Sequence, residues 1–155
     1  MIVREHDIAD RIRERLREAS AVAFAAEVER RRREGDRYTR DPRAEAIILN
    51  DWRFAYLYSR EFIRGRWPEF EEAIGEASPA TDITAIRSVY NYARHVRGGR
   101  MPSAEKHVVN DAATAGDYAR NVLGLPRDTD VLPFDQADEA PAAQPVPASL
   151  SRPAF

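Results

Sequence analysis

Residues 43–60 read RAEAIILNDWRFAYLYSR, and residues 103–120 read SAEKHVVNDAATAGDYAR. Set side by side without gaps, Ala44, Glu45, Asn50, Asp51, Ala55, Tyr58 and Arg60 match Ala104, Glu105, Asn110, Asp111, Ala115, Tyr118 and Arg120, seven identities in 18 positions. A second pairing sets 56–71 (YLYSREFIRGRWPEFE) beside 90–105 (YNYARHVRGGRMPSAE). There Tyr56, Tyr58, Arg60, Gly65, Arg66, Pro68 and Glu71 match Tyr90, Tyr92, Arg94, Gly99, Arg100, Pro102 and Glu105, seven in 16. The offsets of 60 and 34 differ by 26, so the unit is 26 residues long, with eight more near 76–83 in the middle copy. Self-similarity at a fixed period is the signature of a supersecondary unit that buries its apolar face only against its own copies.

Turn chemistry predicts the shape of the unit. Pro42, Pro68 and Pro102 suit the first turn of a helix, where a missing N–H costs nothing. Short helices are expected after them, at about 42–49, 68–76 and 102–110. Asp51, Asp82 and Asp111 are N-caps for longer helices at about 52–64, 82–97 and 112–123. Gly65, Gly98 or Gly99, and Gly124 end those helices by accepting a left-handed conformation. Upstream, Ile8, Ile12, Leu16 and Ala19 recur at spacings of 4, 4 and 3, and Phe24 and Val28 continue the pattern. One long helix over 5–34 follows, capped by Asp7 or Asp10 and closed by Gly35. The expected fold is all-α: a long N-terminal helix, then three short αα-hairpin repeats of about 26 residues stacked as a compact solenoid. The helical repeat domain spans 1–125, divided at 1–40, 41–66, 67–100 and 101–125. Residues 126–155 hold six of the ten prolines and are expected to form an extended, disordered acidic tail, too apolar-poor to offset its ordering entropy.

Composition removes several classes of function. None of the 155 residues is cysteine, which excludes a disulfide scaffold, a thiolate zinc site, an iron–sulfur cluster and a cysteine nucleophile. No apolar run approaches the ~20 residues that span a bilayer. Met1 to Asp10 is charged rather than apolar, so a cytoplasmic protein without a secretory signal or membrane partner is expected. The net charge of −2 points to no polyanionic partner.

Recurring side chains read first as glue. Tyr58, Tyr92 and Tyr118 sit mid-helix on stripes such as Ala55–Tyr58–Phe62, so the rings belong in the core with each hydroxyl partnered. Arg60, Arg94 and Arg120 lie two residues further on, and Glu45, Glu71 and Glu105 lie early in the short helices. A guanidinium holds a carboxylate in two parallel bonds, so these arginines are expected to clamp these glutamates. Arg66 and Arg100 fall at helix ends and are expected to bond the last carbonyls there. With Trp67 over the turn, they form a ridge that is a candidate binding face. In the tail, Leu132 and Phe134, with Val131, are apolar anchors for a partner.

Signals for chemistry are weak. His6, His95 and His107 are never four apart, so no helical metal pair exists. There is no glycine-rich phosphate loop, no G-x-S-x-G elbow and no H-E-x-x-H. No catalytic residue, metal or cofactor is assigned. Residues 30–43 carry seven arginines, among them Arg30, Arg31, Arg32, Arg33 and Arg37, which could contact phosphates. Glu27, Glu29, Glu34, Asp36 and Asp41 interleave them and weaken the field.

The strings Ala55-Tyr56-Leu57-Tyr58-Ser59-Arg60 and Gly65-Arg66-Trp67-Pro68-Glu69-Phe70-Glu71 resemble a repeat of bacteriophage and prophage proteins, of the form A-Y-x-Y-A-x-x-V-I-x-G-R-W-P-E-A-E. The second copy reads Gly99-Arg100-Met101-Pro102-Ser103-Ala104-Glu105, with Met101 in place of Trp. The resemblance covers about 42–124 and implies a viral origin and a helical fold, without catalytic residues. The expected function is a non-enzymatic protein-interaction or structural module, in the host cytoplasm or the virion, whose partner is another protein or a second copy. Nucleic-acid binding through 30–43 is the alternative, and a small enzyme comes third.

Overall fold

The computed structural model describes residues 4–126, and these are wholly helical outside their turns. Helix α1 spans Glu5–Glu34 and ends in a 3₁₀ turn at Gly35–Arg37. Then come α2 (Pro42–Ile48), α3 (Trp52–Tyr58), α4 (Pro68–Glu76), α5 (Ile83–Asn91), α6 (Pro102–Val108) and α7 (Ala112–Asn121). α3 and α5 run on without a break into wider π-type turns, Ser59–Ile63 and Tyr92–Arg97.

The punctuation acts largely as its chemistry requires. Pro42, Pro68 and Pro102 each open a short helix. Asp51, Asp82 and Asp111 accept the backbone N–H groups of Arg53, Thr84 and Thr114, each at 3.0 Å, and so satisfy a donor that the first turn leaves orphaned. Asp51 and Asp111 have the same backbone angles, φ −133° and ψ 113°.

Two termini differ from expectation. The left-handed residue after the first π-type turn is Arg64 (φ 57°), not Gly65. The Arg64 N–H bonds to Ser59 O, five residues back, as the Gly98 N–H bonds to Ala93 O. The extra residue in the π-type turn moves the stop one position earlier, and there the chain tolerates an arginine. α1 begins at Glu5 without a side-chain cap, so neither Asp7 nor Asp10 serves as one.

α1 packs on α2 and α3, α3 on α5, α5 on α6 and α7, and α4 on α6. The core is built largely of aromatic rings, among them Tyr58, Trp67, Phe70, Tyr90, Tyr92 and Tyr118. Tyr58 stacks on Phe62 at 4.9 Å and meets Trp67 at 5.3 Å, and Phe70 meets Tyr92 edge-on at 5.0 Å. Phe24 joins α1 to this line through Phe54 and Phe62. Each fully buried ring of this kind contributes about 1.5–3 kcal/mol. No buried side-chain nitrogen or oxygen among the described residues lacks a hydrogen-bond partner.

Only part of α1 is held. Its first tie to the body is the Arg17–Asp82 ion pair at 3.1 Å, followed by Ser20 Oγ donating to Ile48 O at 2.8 Å. Ile8, Ile12 and Leu16 are 48%, 54% and 41% exposed, and Val22 is 68% exposed. A 30-residue helix is roughly 45 Å long and outruns the helices that pack against it. Apolar periodicity shows that a face is apolar, and does not show that its partner lies in the same chain.

His107 is wholly buried in α6. Its Nδ1 accepts the Ala80 N–H at 2.9 Å, which leaves Nε2–H to donate to Ile74 O at 2.8 Å. The ring of Trp52 meets it edge-on at 5.1 Å. Burial pushes its pKa below the usual histidine value; the Ile74 bond opposes that and the Lys106 charge adds to it. The neutral ring is therefore the folded form, and protonation would break the Ala80 bond. Its contribution is complete above the unfolded value near 6.5 and is lost as the pH falls below it. Urea midpoints should fall between pH 7.5 and pH 5 in the parent, and His107→Gln should flatten that fall; equal slopes would contradict it.

Candidate functional site

One arrangement recurs three times, and it is not the one expected for the arginines. Arg40 reaches Glu45 through Nε and Nη2 at 2.9 and 3.0 Å. Arg66 holds Glu71 at 3.0 and 2.9 Å, and Arg100 holds Glu105 at 2.7 and 3.2 Å. Each arginine stands five residues before its glutamate, across the proline that opens the helix. Each carboxylate also meets a tyrosine of the following long helix: Tyr58 on Glu45 at 3.1 Å, Tyr92 on Glu71, and Tyr118 on Glu105 at 3.2 Å. Tyr92 and Tyr118 hydroxyls accept the backbone N–H of Trp67 (2.8 Å) and Met101 (3.0 Å), the residues that lead into the prolines. The tyrosine thus caps a helix start whose own residue has no capping side chain.

Burial decides how these groups behave. The Glu105 side chain is 4% exposed while the Arg100 guanidinium is 48% exposed, so a sealed carboxylate is held by a wet cation. Burial pushes Tyr92 up to about 12 and raises Tyr58 and Tyr118 further. Burial also opposes the ionisation of Glu71, but the bonds from Arg66 and the charge of Arg97, 2.7 Å away, outweigh it and hold the carboxyl below its ordinary range. These tyrosines are hydrogen-bonding structural groups at neutral pH, not bases.

Arg60, Arg94 and Arg120 do not clamp the glutamates. Arg60 bonds to the Tyr56 hydroxyl at 3.2 Å and to Glu61, Arg94 bonds to the Tyr90 hydroxyl at 3.2 Å, and Arg120 pairs with Asp117 at 2.7 Å. They stand on the long helix two residues past the tyrosine, where the side chain points to the rim while the tyrosine points inward. Arg66 and Arg100 bond glutamates in place of the helix-end carbonyls. The proposed Arg–Trp ridge does not exist either, because Trp67 is 1% exposed and lies between Tyr58 and Phe70. Leu132 and Phe134, with the rest of 127–155, lie outside the described residues.

The basic segment is largely occupied by its own chain. Arg30 bonds Glu27, Glu34 and Thr39 O, and the Glu27 bond raises its pKa. Arg31 bonds Glu61 O, and Arg32 pairs with Glu29 at 3.4 Å. Arg33 and Arg37 are exposed. Glu27 also accepts the Tyr38 hydroxyl at 2.7 Å, so an Arg–Glu–Tyr set built by different spacing closes the α1 end.

Three concave regions flank α1, one of them between Phe24, Val28, Arg31 and Arg32 and the turn at Glu61 and Phe62. A cleft of about 510 Å³ lies between its middle and the starts of α3 and α5, lined by Glu14, Arg17, Glu18, Asp51, Arg53 and Asp82 among others. Its charges alternate in sign and Arg17–Asp82 bridges it. An apolar groove lies between α1 and α2, formed by Ala19, Val22, Ala23, Ala26 and Ile47. Among the described residues no group of three or more His, Cys, Asp or Glu could hold a metal ion, and no helix is long and apolar enough to cross a membrane.

Sequence reasoning missed Arg40, although Arg-x-Pro-x-x-Glu occurs at 40–45, 66–71 and 100–105. Removing a clamp should cost more than removing a rim arginine. Arg100→Ala should lower stability by about 1–2 kcal/mol by leaving Glu105 short of two bonds. Arg94→Ala should leave the urea midpoint unchanged. A larger loss for Arg94→Ala would reverse the assignment. Comparison with protein-family models, curated proteins and solved structures finds no match to this chain.

Proposed function

We propose that this chain is a non-enzymatic protein-interaction module in which three locked helical units, stacked as a short solenoid, carry α1 as a docking helix. The exposed apolar side of α1 carries this reading: Ile8, Ile12, Leu16 and Val22 each leave two fifths or more of their surface open. Exposed contiguous apolar surface on a folded chain marks a place where another surface sits. The solenoid arrangement is supported by the threefold recurrence of the Arg–Glu–Tyr lock and by the contacts of α3 with α5 and α5 with α7. The likeness of Gly65-Arg66-Trp67-Pro68-Glu69-Phe70-Glu71 to phage repeats supports a viral origin. Nucleic-acid binding through 30–43 has less support, since Arg30, Arg31 and Arg32 already serve carboxylates and carbonyls of their own chain.

The test compares the tagged full chain with an Ile12→Glu/Val22→Glu variant, using an untagged copy and host proteins as prey. Both positions are exposed, so the two proteins should melt alike. The parent should capture a protein that the variant does not. Identical capture by both, or none by either, would overturn the proposal.

A further inference from the structure

The uncovered side of α1 has two halves of opposite shape. The half that projects from the body carries large side chains, Ile8, Ile12 and Leu16. The half docked on the body carries the shallow groove of Ala19, Val22, Ala23 and Ala26, walled on one side by Ile47 of α2. At 3.6 residues per turn, Ile8, Ile12, Leu16, Ala19, Val22 and Ala26 fall within roughly a third of the helix circumference, so they form one continuous strip. The groove is an open position of the repeat. Ile47 corresponds to His107 in the third unit, and His107 is sealed beneath Ile74 and Ala80, whereas Ile47 is 41% exposed.

We propose that the occupant of this strip is a second copy of the chain, paired antiparallel through α1. The inference rests on reading this face as a binding surface and names its partner. Reversing one helix about Arg17 sets Ile8 opposite Ala26 and Ile12 opposite Val22, and brings Leu16 within one residue of the level of Ala19. Large side chains then enter the small-residue groove of the partner, twice over, as a twofold interface requires. Charge near the centre agrees with the same direction. Near the centre, Arg15 of each copy comes within one residue of the level of Glu18 of the other. Both are exposed, and neither forms an ion pair within the described residues of its own chain. The body occupies only the second half of each helix, so the two bodies lie at opposite ends and do not collide. Each projecting half comes to lie beside the α2 helix of the other copy.

The absence of cysteine makes the register directly measurable. The full chain is made as two single variants, Ile12→Cys and Val22→Cys, each checked by its thermal melt against the parent. Under mild oxidation a 1:1 mixture should give a disulfide-linked heterodimer of twice the 17.6 kDa chain mass, while each variant alone stays largely uncrosslinked. Efficient homodimer formation by either variant alone would overturn the antiparallel register. Parent protein sedimenting as a 17.6 kDa monomer at all concentrations would overturn self-pairing. If such a monomer still captures another protein through α1, the proposed function stands and only this inference falls. If it captures nothing, both fall.

Discussion

A carboxylate largely covered at the head of each short helix is the constraint around which this molecule is arranged. Glu105 is sealed from water and Glu45 and Glu71 are largely covered, so each needs donors from the protein. The arginine five residues earlier supplies two and the tyrosine of the next helix supplies another. The arginine fixes the turn around the proline, and the tyrosine fixes how far the long helix slides along the short one. Because the same hydroxyls of Tyr92 and Tyr118 cap the buried N–H of Trp67 and Met101, helix start, carboxylate and neighbouring helix are set together. The aromatic line from Phe24 to Tyr92 packs around these fixed points.

Helices, their starts and most of their stops were legible because they depend on local chemistry. Proline at the first turn and aspartate at the N-cap act within a few residues of themselves, and the prolines and Asp51, Asp82 and Asp111 stand where expected, whereas α1 has no aspartate cap. The partners of the arginines were not legible, because that requires knowing which way a side chain leaves its helix. Arg60 and Arg94 recur beside tyrosines and suggested the clamp, yet two residues along a helix is a turn of about 200° away from the core. The true clamp was present as a spacing, Arg-x-Pro-x-x-Glu, but Arg40 sits outside the aligned segments and passed as one of a basic run. Trp67 illustrates the same limit: an aromatic beside a proline fits a surface turn or a core, and the ring of Tyr58 decides for the core.

α1 shows where pattern and burial part company. Its stripe is as regular as any in the chain, but Ile8, Ile12 and Leu16 on it each leave two fifths or more of their surface open. The body makes its own demand for apolar cover only from Ser20 to Arg31, where Phe24 and the Arg31 guanidinium lie on Phe62. On the pairing proposed above, the remaining stripe meets a second copy, with large side chains set against small ones.

The lock itself is tested most directly by a double-mutant cycle on Glu105 and Tyr118, which are 3.2 Å apart in the third unit. Urea unfolding of Glu105→Gln, Tyr118→Phe and the double variant separates their mutual dependence from the cost of each change. If the buried carboxylate and the tyrosine hold each other, the coupling should be about 1 kcal/mol. Single effects that add with no coupling would mean that the recurring tyrosines act only as buried rings, and that the units are fixed by something else.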